Sequence, residues 1–564
     1  MHDSPARRLW PWMVVACIAA AYIVSVFHYN PQYFFGATQD DSLYFSSAKA
    51  LANHEGYVLP SVPGHPVASK YPVLYPWLLS WVWRIDPSFP ANLKPAVALT
   101  TAFGLLFIIS SFLFFRDLRG IGDGSALLLT FIVALHPILI YYSTGVLSDV
   151  PFAGLALAAM VLADRAMRPE SGSGRAAGCA LVTGISILMR AFGIPIAVGI
   201  LAAAVARKAW RQAAIFCGVL TPFAAAVLNR WAFGIPKMPP IPDGSPYRAG
   251  FLNLWAYYTS YQGFWKLSIP NAQVLWAMLH SNLLLVIHSP SEFFLDPWLS
   301  WGNIPSLALA LVITIAIFAG IVRQSRGGQW RAIHWVLPFY MALIFLWNFP
   351  NTQRFMFLFL PLFLGGLWCE FGHFLALLRD TFRKSPKLDQ KIVAVILALV
   401  LAALIGGMAW NYVGGARPVI AEIAGTRSSL LQEKLEAYQW LACCTAREDL
   451  VISYEDATLY LYSDRQGLRS VVFPTSGQYD HKFLQEALGR MTDVAHVIGA
   501  RYWMIADDDF DLEWEQAGKQ GRAREREFEP GLEPAFKSSG GRIRIYKLGC
   551  AEHIAEQKPI PACP

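Results

Sequence analysis

The chain has 564 residues, of which 55% are apolar, 14% aromatic and only 15% charged, with a mean hydropathy of +0.38. A soluble domain carries about 25% charged residues, so this composition excludes an ordinary soluble enzyme, and the length exceeds the roughly 250 to 300 residues of a single core. The formal charge of +7 divides into +12 over residues 1–412 (28 Lys and Arg against 16 Asp and Glu) and −5 over 413–564 (18 against 23). That division excludes a nucleic-acid partner and reads as a basic membrane part followed by an acidic, solvated domain.

Crossing about 30 Å of hydrocarbon takes about 20 apolar residues. In chain order such stretches lie near 10–29, 95–115, 122–142, 148–164, 176–190, 191–206, 212–233, 303–322, 333–350, 355–378 and 392–412. They predict a mainly α, polytopic membrane helix bundle of about 11 spans, with the pair inside 176–206 the shortest. Lys and Arg of short loops mark the cytoplasmic side. With the N-terminus cytoplasmic, Arg7, Arg8, Arg116, Arg119, Arg165, Arg168, Arg175, Arg207, Lys208, Arg211, Arg323, Arg326, Arg331, Arg379, Arg383, Lys384, Lys387 and Lys391 all share that face. The same parity turns 271–289 into a helix lying in the outer interface and puts the C-terminal domain outside. The first stretch runs into Tyr29-Asn30-Pro31 without a small-residue cleavage site, which reads as an anchor in the plasma (inner) membrane rather than a removed signal.

Residues 1–412 therefore form a membrane domain with two large outer loops, 30–94 and 234–302, and 413–564 a soluble extracytoplasmic domain. In the latter, amphipathic stretches (Leu430 to Leu441, Asp456 to Tyr462) alternate with apolar runs such as Leu450-Val451-Ile452 and Tyr502-Trp503-Met504-Ile505, predicting a small α/β layer. No nucleotide-binding, redox or metalloprotease motif assigns this domain a cofactor. Cys17, Cys179, Cys217 and Cys369 lie in spans. Cys443, Cys444, Cys550 and Cys563 fall in the exported domain, where either free thiols or a bridge from one of the adjacent pair to Cys550 or Cys563 would suit.

Polar groups gather at the outer span ends. Asp40-Asp41-Ser42 precedes an amphipathic stretch, Leu43 to Asn53, where a lone Asp pair would ordinarily cap a helix. Its company argues for more. Lys70-Tyr71-Pro72-Val73-Leu74-Tyr75-Pro76-Trp77 follows in the same loop, and Asp149 lies in a short outer turn before Pro151. Arg190 separates two short apolar segments, and Arg354 follows Asn348-Phe349-Pro350-Asn351. Charges in or beside spans are costly and mark functional candidates, with snorkelling to the headgroups as the alternative.

Acids and cations at one membrane face suit one chemistry, transfer of a sugar carried on a polyprenyl phosphate. Its leaving group departs as a stable phosphate anion and needs no general acid, whereas a glycosidase needs two carboxylates. One carboxylate suffices as general base for the acceptor hydroxyl, with cations on the phosphate.

The chain resembles the GT-C membrane glycosyltransferases of the protein O-mannosyltransferase and lipid A aminoarabinose transferase kind. The resemblance is carried by Asp40-Asp41-Ser42-Leu43-Tyr44, Lys70-Tyr71-Pro72-Val73-Leu74-Tyr75-Pro76, His136-Pro137, Leu147-Ser148-Asp149-Val150-Pro151-Phe152, Arg190, Gln353-Arg354-Phe355 and Leu360-Pro361, in order over residues 10–380. It implies a polyprenyl-phosphate sugar as donor, an outer-face site and inversion at the anomeric carbon. It also implies Asp40 or Asp41 as base, Asp149 as the second acid and Lys70 on the donor phosphate, where Arg190 and Arg354 are the further cations that the chemistry calls for. Tyr44, Tyr71, Tyr75 and His65 would line the donor and acceptor pocket. In relatives the second acid assists the site or approaches a metal; no metal is assigned here, and a divalent cation stays open. The acceptor is a glycolipid, a polysaccharide or a protein.

His54 reads as an ordinary loop residue, and the aromatics Tyr247, Phe251, Trp255, Tyr257, Tyr258, Tyr261, Phe264 and Trp265 as an interfacial belt with one or two rings against ligand. Three alternatives remain: a transporter or flippase, against which the lack of internal repeats counts; a glycan ligase or polymerase, kept alive by Arg248 and His280; and a non-catalytic glycan-binding subunit.

Overall fold

The computed structural model describes residues 5–168, 170–233, 248–260, 271–295, 304–326, 330–347, 352–384, 392, 395, 416–469, 495, 498–509 and 532–548. The membrane half starts with α1 (Pro5–Phe27) and, in the long connection that follows it, α2 (Asp40–Ala52) and α3 (Leu74–Ile85). Next come α4 (Leu93–Arg116), α5 (Asp123–Ala134), α6 (Pro137–Thr144), α7 (Asp149–Ala166), α8 (Ser173–Met189), α9 (Gly193–Ala206) and α10 (Trp210–Phe233). After α11 (Arg248–Thr259) follow α12 (Ala272–Leu295), α13 (Ile304–Ser325), α14 (Ala332–Phe345), α15 (Thr352–Met356) and α16 (Leu360–Lys384).

Among the described residues five stretches are long and apolar enough to cross a membrane: Leu9–Phe27, Leu93–Arg116, Trp210–Asn229, Leu307–Ser325 and Gln353–Asp380. Helices α5 and α6, bent by 47° between them, count as a sixth if taken as one span. The bend sits at His136-Pro137, where proline cannot continue α5 but starts α6, and the His136 Nδ1 accepts the Ile138 N–H at 3.3 Å. Reaching the expected count of 11 requires adding α7, α8, α9, α14 and 392–412. The first carries three charges, the next three have 17, 14 and 14 residues, and the last lies outside the described residues apart from Ile392 and Val395. The stretch 271–289 is part of the single long helix α12.

Small residues let the helices approach closely. A Cβ on Gly154 of α7 would sit 2.5 Å from the Phe103 carbonyl of α4, and one on Gly320 of α13 would overlap the Gly366 carbonyl of α16. These contacts fix the relative heights of the helices. As a result the start of α7, the end of α8 and the start of α15 meet at one end of the bundle. Ion pairs Arg165–Asp117 (3.6 Å) and Arg207–Asp164 (2.9 Å) tie the other end.

The C-terminal part comprises α17 (Ala416–Cys444), β1 (Val451–Ile452), α18 (Asp456–Ser463), β2 (Gly467–Leu468), β3 (Tyr502–Ala506), β4 (Glu533–Lys537) and β5 (Ile543–Lys547). The strands form one mixed sheet in the order β2-β1-β3-β5-β4, parallel at β1–β2 and β1–β3 and antiparallel at β3–β5 and β5–β4. This is the predicted α/β layer. Strand β3 is buried throughout, which explains its continuous apolar run: Tyr502, Met504 and Ala506 meet Tyr438, Leu441 and Leu459, while Trp503 and Ile505 join the core shared with the membrane half. Cys444 is disulfide-bonded and Cys443 is free. The partner of Cys444, like Cys550 and Cys563, lies outside the described residues.

The sheet domain sits on the connection between α1 and α4. Arg427 donates to the Tyr33 and Phe35 carbonyls at 2.8 and 2.9 Å, the Gly467 N–H donates to the Ser61 carbonyl at 2.9 Å, and Lys49 pairs with Asp464 at 3.3 Å.

Candidate active site

Helix α2 opens with two acids, as a helix N-terminus favours. Successive residues point about 100° apart, and the two carboxylates have separate surroundings. Asp41 turns back into its own loop: one oxygen accepts the Gly36 N–H at 2.9 Å and the other the Ser42 N–H at 2.8 Å. Burial pushes its carboxyl up to about 7, against the pull of those two hydrogen bonds. Asp40 faces the bundle. Its Oδ1 accepts the Tyr71 hydroxyl at 2.6 Å and its Oδ2 accepts Arg354 at 2.7 Å. Burial alone would raise its pKa, but Arg354, Lys70, the Tyr71 hydroxyl and Arg190 together hold it below the ordinary carboxylate value.

The residue before it, Gln39, has φ 59°, a backbone conformation that side-chain-bearing residues rarely adopt. Its side chain is held at both ends, donating to the Tyr454 carbonyl of the sheet domain at 2.6 Å and accepting the Tyr257 hydroxyl of α11 at 3.1 Å.

Asp149, 1% exposed, starts α7. It accepts Arg354 Nε at 2.9 Å and Nη2 at 2.8 Å, and it also pairs with Arg190. Arg190 occupies the extended break between α8 and α9, its guanidinium 5.1 Å from the Phe355 ring and 5.7 Å from that of Phe192. Lys70 lies with its Nζ 3.9 Å from the Tyr257 ring centre and 5.1 Å from that of Tyr71. Burial pulls its ammonium down to about 8 although Asp40 favours the charge. Asp40, Asp149, Lys70, Arg190 and Arg354, far apart in sequence, thus form one cluster.

A cavity of about 380 Å³ opens beside it, walled by Tyr44, Tyr71, Phe192, Val198, Leu343 and Trp347 among others, with Arg190 the one charged residue among its described lining. The arrangement offers an ionised carboxylate, several cations and an apolar chamber meeting at one point.

No protein-family model matches the chain, and no curated protein matches it in sequence. Solved structures do. ArnT from Cupriavidus metallidurans bound to undecaprenyl phosphate is similar over 96% of this chain and 98% of its own, with a TM-score of 0.52 and 12% identity. The archaeal oligosaccharyltransferase AglB from Archaeoglobus fulgidus, in complex with an inhibitory peptide and a dolichol-phosphate, is similar over 96% of this chain and 74% of its own, with a TM-score of 0.50 and 14% identity. The chain has the GT-C fold.

Within that GT-C fold two residues expected in the pocket stand elsewhere. Tyr75 is fully buried behind the site, its hydroxyl sharing a hydrogen bond with Thr100 at 2.8 Å and its ring set edge-on to Tyr44. His65 pairs with Gln466 of the sheet domain at 2.7 Å, and His54 is exposed. Of the second-loop aromatics, Tyr257 and Tyr258 reach the cluster and the sheet domain, whereas Tyr247, Tyr261, Phe264, Trp265 and the Phe251 side chain lie outside the described residues. So do Arg248's side chain and 348–351; His280 is exposed on α12. Among the described residues no group of three or more His, Cys, Asp or Glu side chains could hold a metal ion. Neither Gln39 nor Arg469 belongs to a motif that marks it in the sequence, and the position of Arg469 depends on how the sheet domain docks.

Proposed function

We propose that this chain is a membrane glycosyltransferase that moves a hexosyl or pentosyl unit from a polyprenyl-phosphate donor to a hydroxyl acceptor at the outer membrane face, with inversion and with Asp40 as general base. The observation that carries the reading is the Asp40 carboxylate, held ionised between Tyr71 and Arg354 at the head of an apolar cavity whose described lining carries the charge of Arg190. The undecaprenyl phosphate bound to ArnT and the dolichol-phosphate bound to AglB support a lipid-phosphate ligand.

The prenyl chain lies in the cavity, with its phosphate toward Arg190 and Lys70. Arg354, engaged by both acids, orients Asp40 and contributes its field rather than a fork to the phosphate. The acceptor oxygen attacks the anomeric carbon from the side opposite the phosphate. Its proton passes to Asp40, and the bond from carbon to phosphate oxygen breaks with its electron pair left on the phosphate. A carboxylate of depressed pKa is a weak base, so it takes the proton late, once the attacking hydroxyl has become acidic. Asp41, bound to its own loop, is not the base in this account. The acceptor, a glycolipid, polysaccharide or protein, approaches from the sheet-domain side, and the N-terminus is cytoplasmic.

The test is turnover by the purified full chain in nanodiscs, supplied with polyprenyl-phosphate hexoses and pentoses. The reading expects polyprenyl phosphate and a glycoside of inverted anomeric configuration. Lipid-linked sugar moved across a vesicle without release of polyprenyl phosphate would favour a flippase.

A further inference from the structure

The sheet domain reaches the site through Arg469. This residue follows β2, and its side chain is 7% exposed. Its guanidinium carbon lies 4.0 Å from the Tyr454 ring centre and 5.9 Å from that of Tyr257, the same ring that Lys70 approaches to 3.9 Å. Its backbone N–H donates to the Tyr258 hydroxyl at 3.3 Å, which in turn donates to Asp456 at 2.8 Å. Two cations, one from each half of the chain, therefore converge on a single aromatic ring in a nearly closed space.

Like charges in a dry pocket repel, and rings supply only part of the compensation. Near the junction Lys70, Arg190, Arg354 and Arg469 are set against Asp40, Asp149 and Asp456. Burial pushes Asp456 up to about 6, so it balances Arg469 least well in acidic surroundings. Among the described residues the cations here outnumber the acids by one, at the place where the cavity wall Tyr71 meets Lys70. An anion completes such a cluster.

We propose that Arg469 and Lys70 together bind the phosphate of the polyprenyl donor, so that the sheet domain supplies one ligand of the donor site. This rests on the function proposed above. As the sugar leaves, the phosphate passes from a diester with one negative charge to a monoester able to carry two. The planar guanidinium engages two of its oxygens while the ammonium acts as a point charge. The cations thus hold the leaving group more tightly than the donor, the condition for accelerating its departure. A domain that only covered the site would place no charge there.

The experiment is equilibrium binding of undecaprenyl phosphate, and separately of inorganic phosphate, to the full chain in nanodiscs. Arg469→Ala should weaken undecaprenyl phosphate binding about tenfold or more, and Arg469→Lys should recover part of the loss. Arg501→Ala, which removes an exposed guanidinium paired with the buried Asp449 in the same domain, should leave it unchanged. If Arg469→Ala does not fold, Arg469→Gln reads the same loss of charge in a side chain still able to hydrogen-bond. Wild-type affinity in a folded Ala or Gln variant overturns the proposal while leaving the proposed function standing. Loss confined to inorganic phosphate also overturns it. A wild type that binds no undecaprenyl phosphate removes both.

Discussion

Arg354 and Asp40, 314 positions apart in the chain, are joined at 2.7 Å, and the same guanidinium holds Asp149 through two more hydrogen bonds. One buried cation thereby sets the separation of both acids. Removing one partner of a buried ionic group leaves the others uncompensated and costs about 3–5 kcal/mol. Arg354→Met should accordingly lower the thermal unfolding temperature sharply. Adding Asp149→Asn to it should cost less than the sum of the two single changes. Additive losses would show that the two side chains are not coupled.

Asp41 makes a pH prediction of definite sign. Its carboxyl is raised from 3.8 to about 7 in the folded protein, so between those values the folded state binds more protons than the unfolded one. Its contribution to stability is fully present below the lower value and is lost as pH rises through the upper, at no more than about 1.4 kcal/mol per pH unit. Asp41→Asn should flatten the fall in unfolding temperature between about pH 4 and about pH 7. An unchanged slope would contradict the placement of this carboxyl.

Gln39 carries a backbone cost of about 1–3 kcal/mol at its positive φ, offset by two side-chain hydrogen bonds to other segments. Gln39→Ala loses both bonds and keeps the strain, whereas Gln39→Gly loses the bonds and relieves it. Thermal unfolding should therefore rank Ala below Gly by about 1 kcal/mol. The opposite ranking would mean the strain is not there. Both variants should slow turnover, because Asp40 is the next residue.

The cavity predicts dependence on lipid length. Val198 lines it and is 43% exposed, so a larger side chain there intrudes on the chamber without crowding the core. Val198→Trp should raise KM for a long-chain polyprenyl donor about tenfold while sparing a donor with a short prenyl group. Equal effects on both would place the chain elsewhere.

The charges at span ends were legible because a charge beside hydrocarbon needs a reason, and Asp40, Lys70, Asp149, Arg190 and Arg354 do converge in space. Choosing between Asp40 and Asp41 was not possible from the sequence. The answer depends on which carboxylate the Gly36 and Ser42 amides capture, a matter of loop geometry. Short helices such as α9, with 14 residues, read as spans from their composition, which does not set where a helix begins and ends. Arg469 was illegible for another reason: nothing in a charge following two strand residues announces that its domain packs over Tyr257. The α/β layer was readable from alternating apolar runs, yet β3 is buried on both faces, so its run carried no information about which side meets the membrane half.

The most direct measurement is single-turnover transfer by Asp40→Asn and Asp41→Asn beside the wild type, with donor binding recorded for each. Asp40→Asn should still bind polyprenyl-phosphate sugar but transfer it at least about 100-fold more slowly, while Asp41→Asn stays near the wild-type rate. Transfer by Asp40→Asn at the wild-type rate would contradict the account.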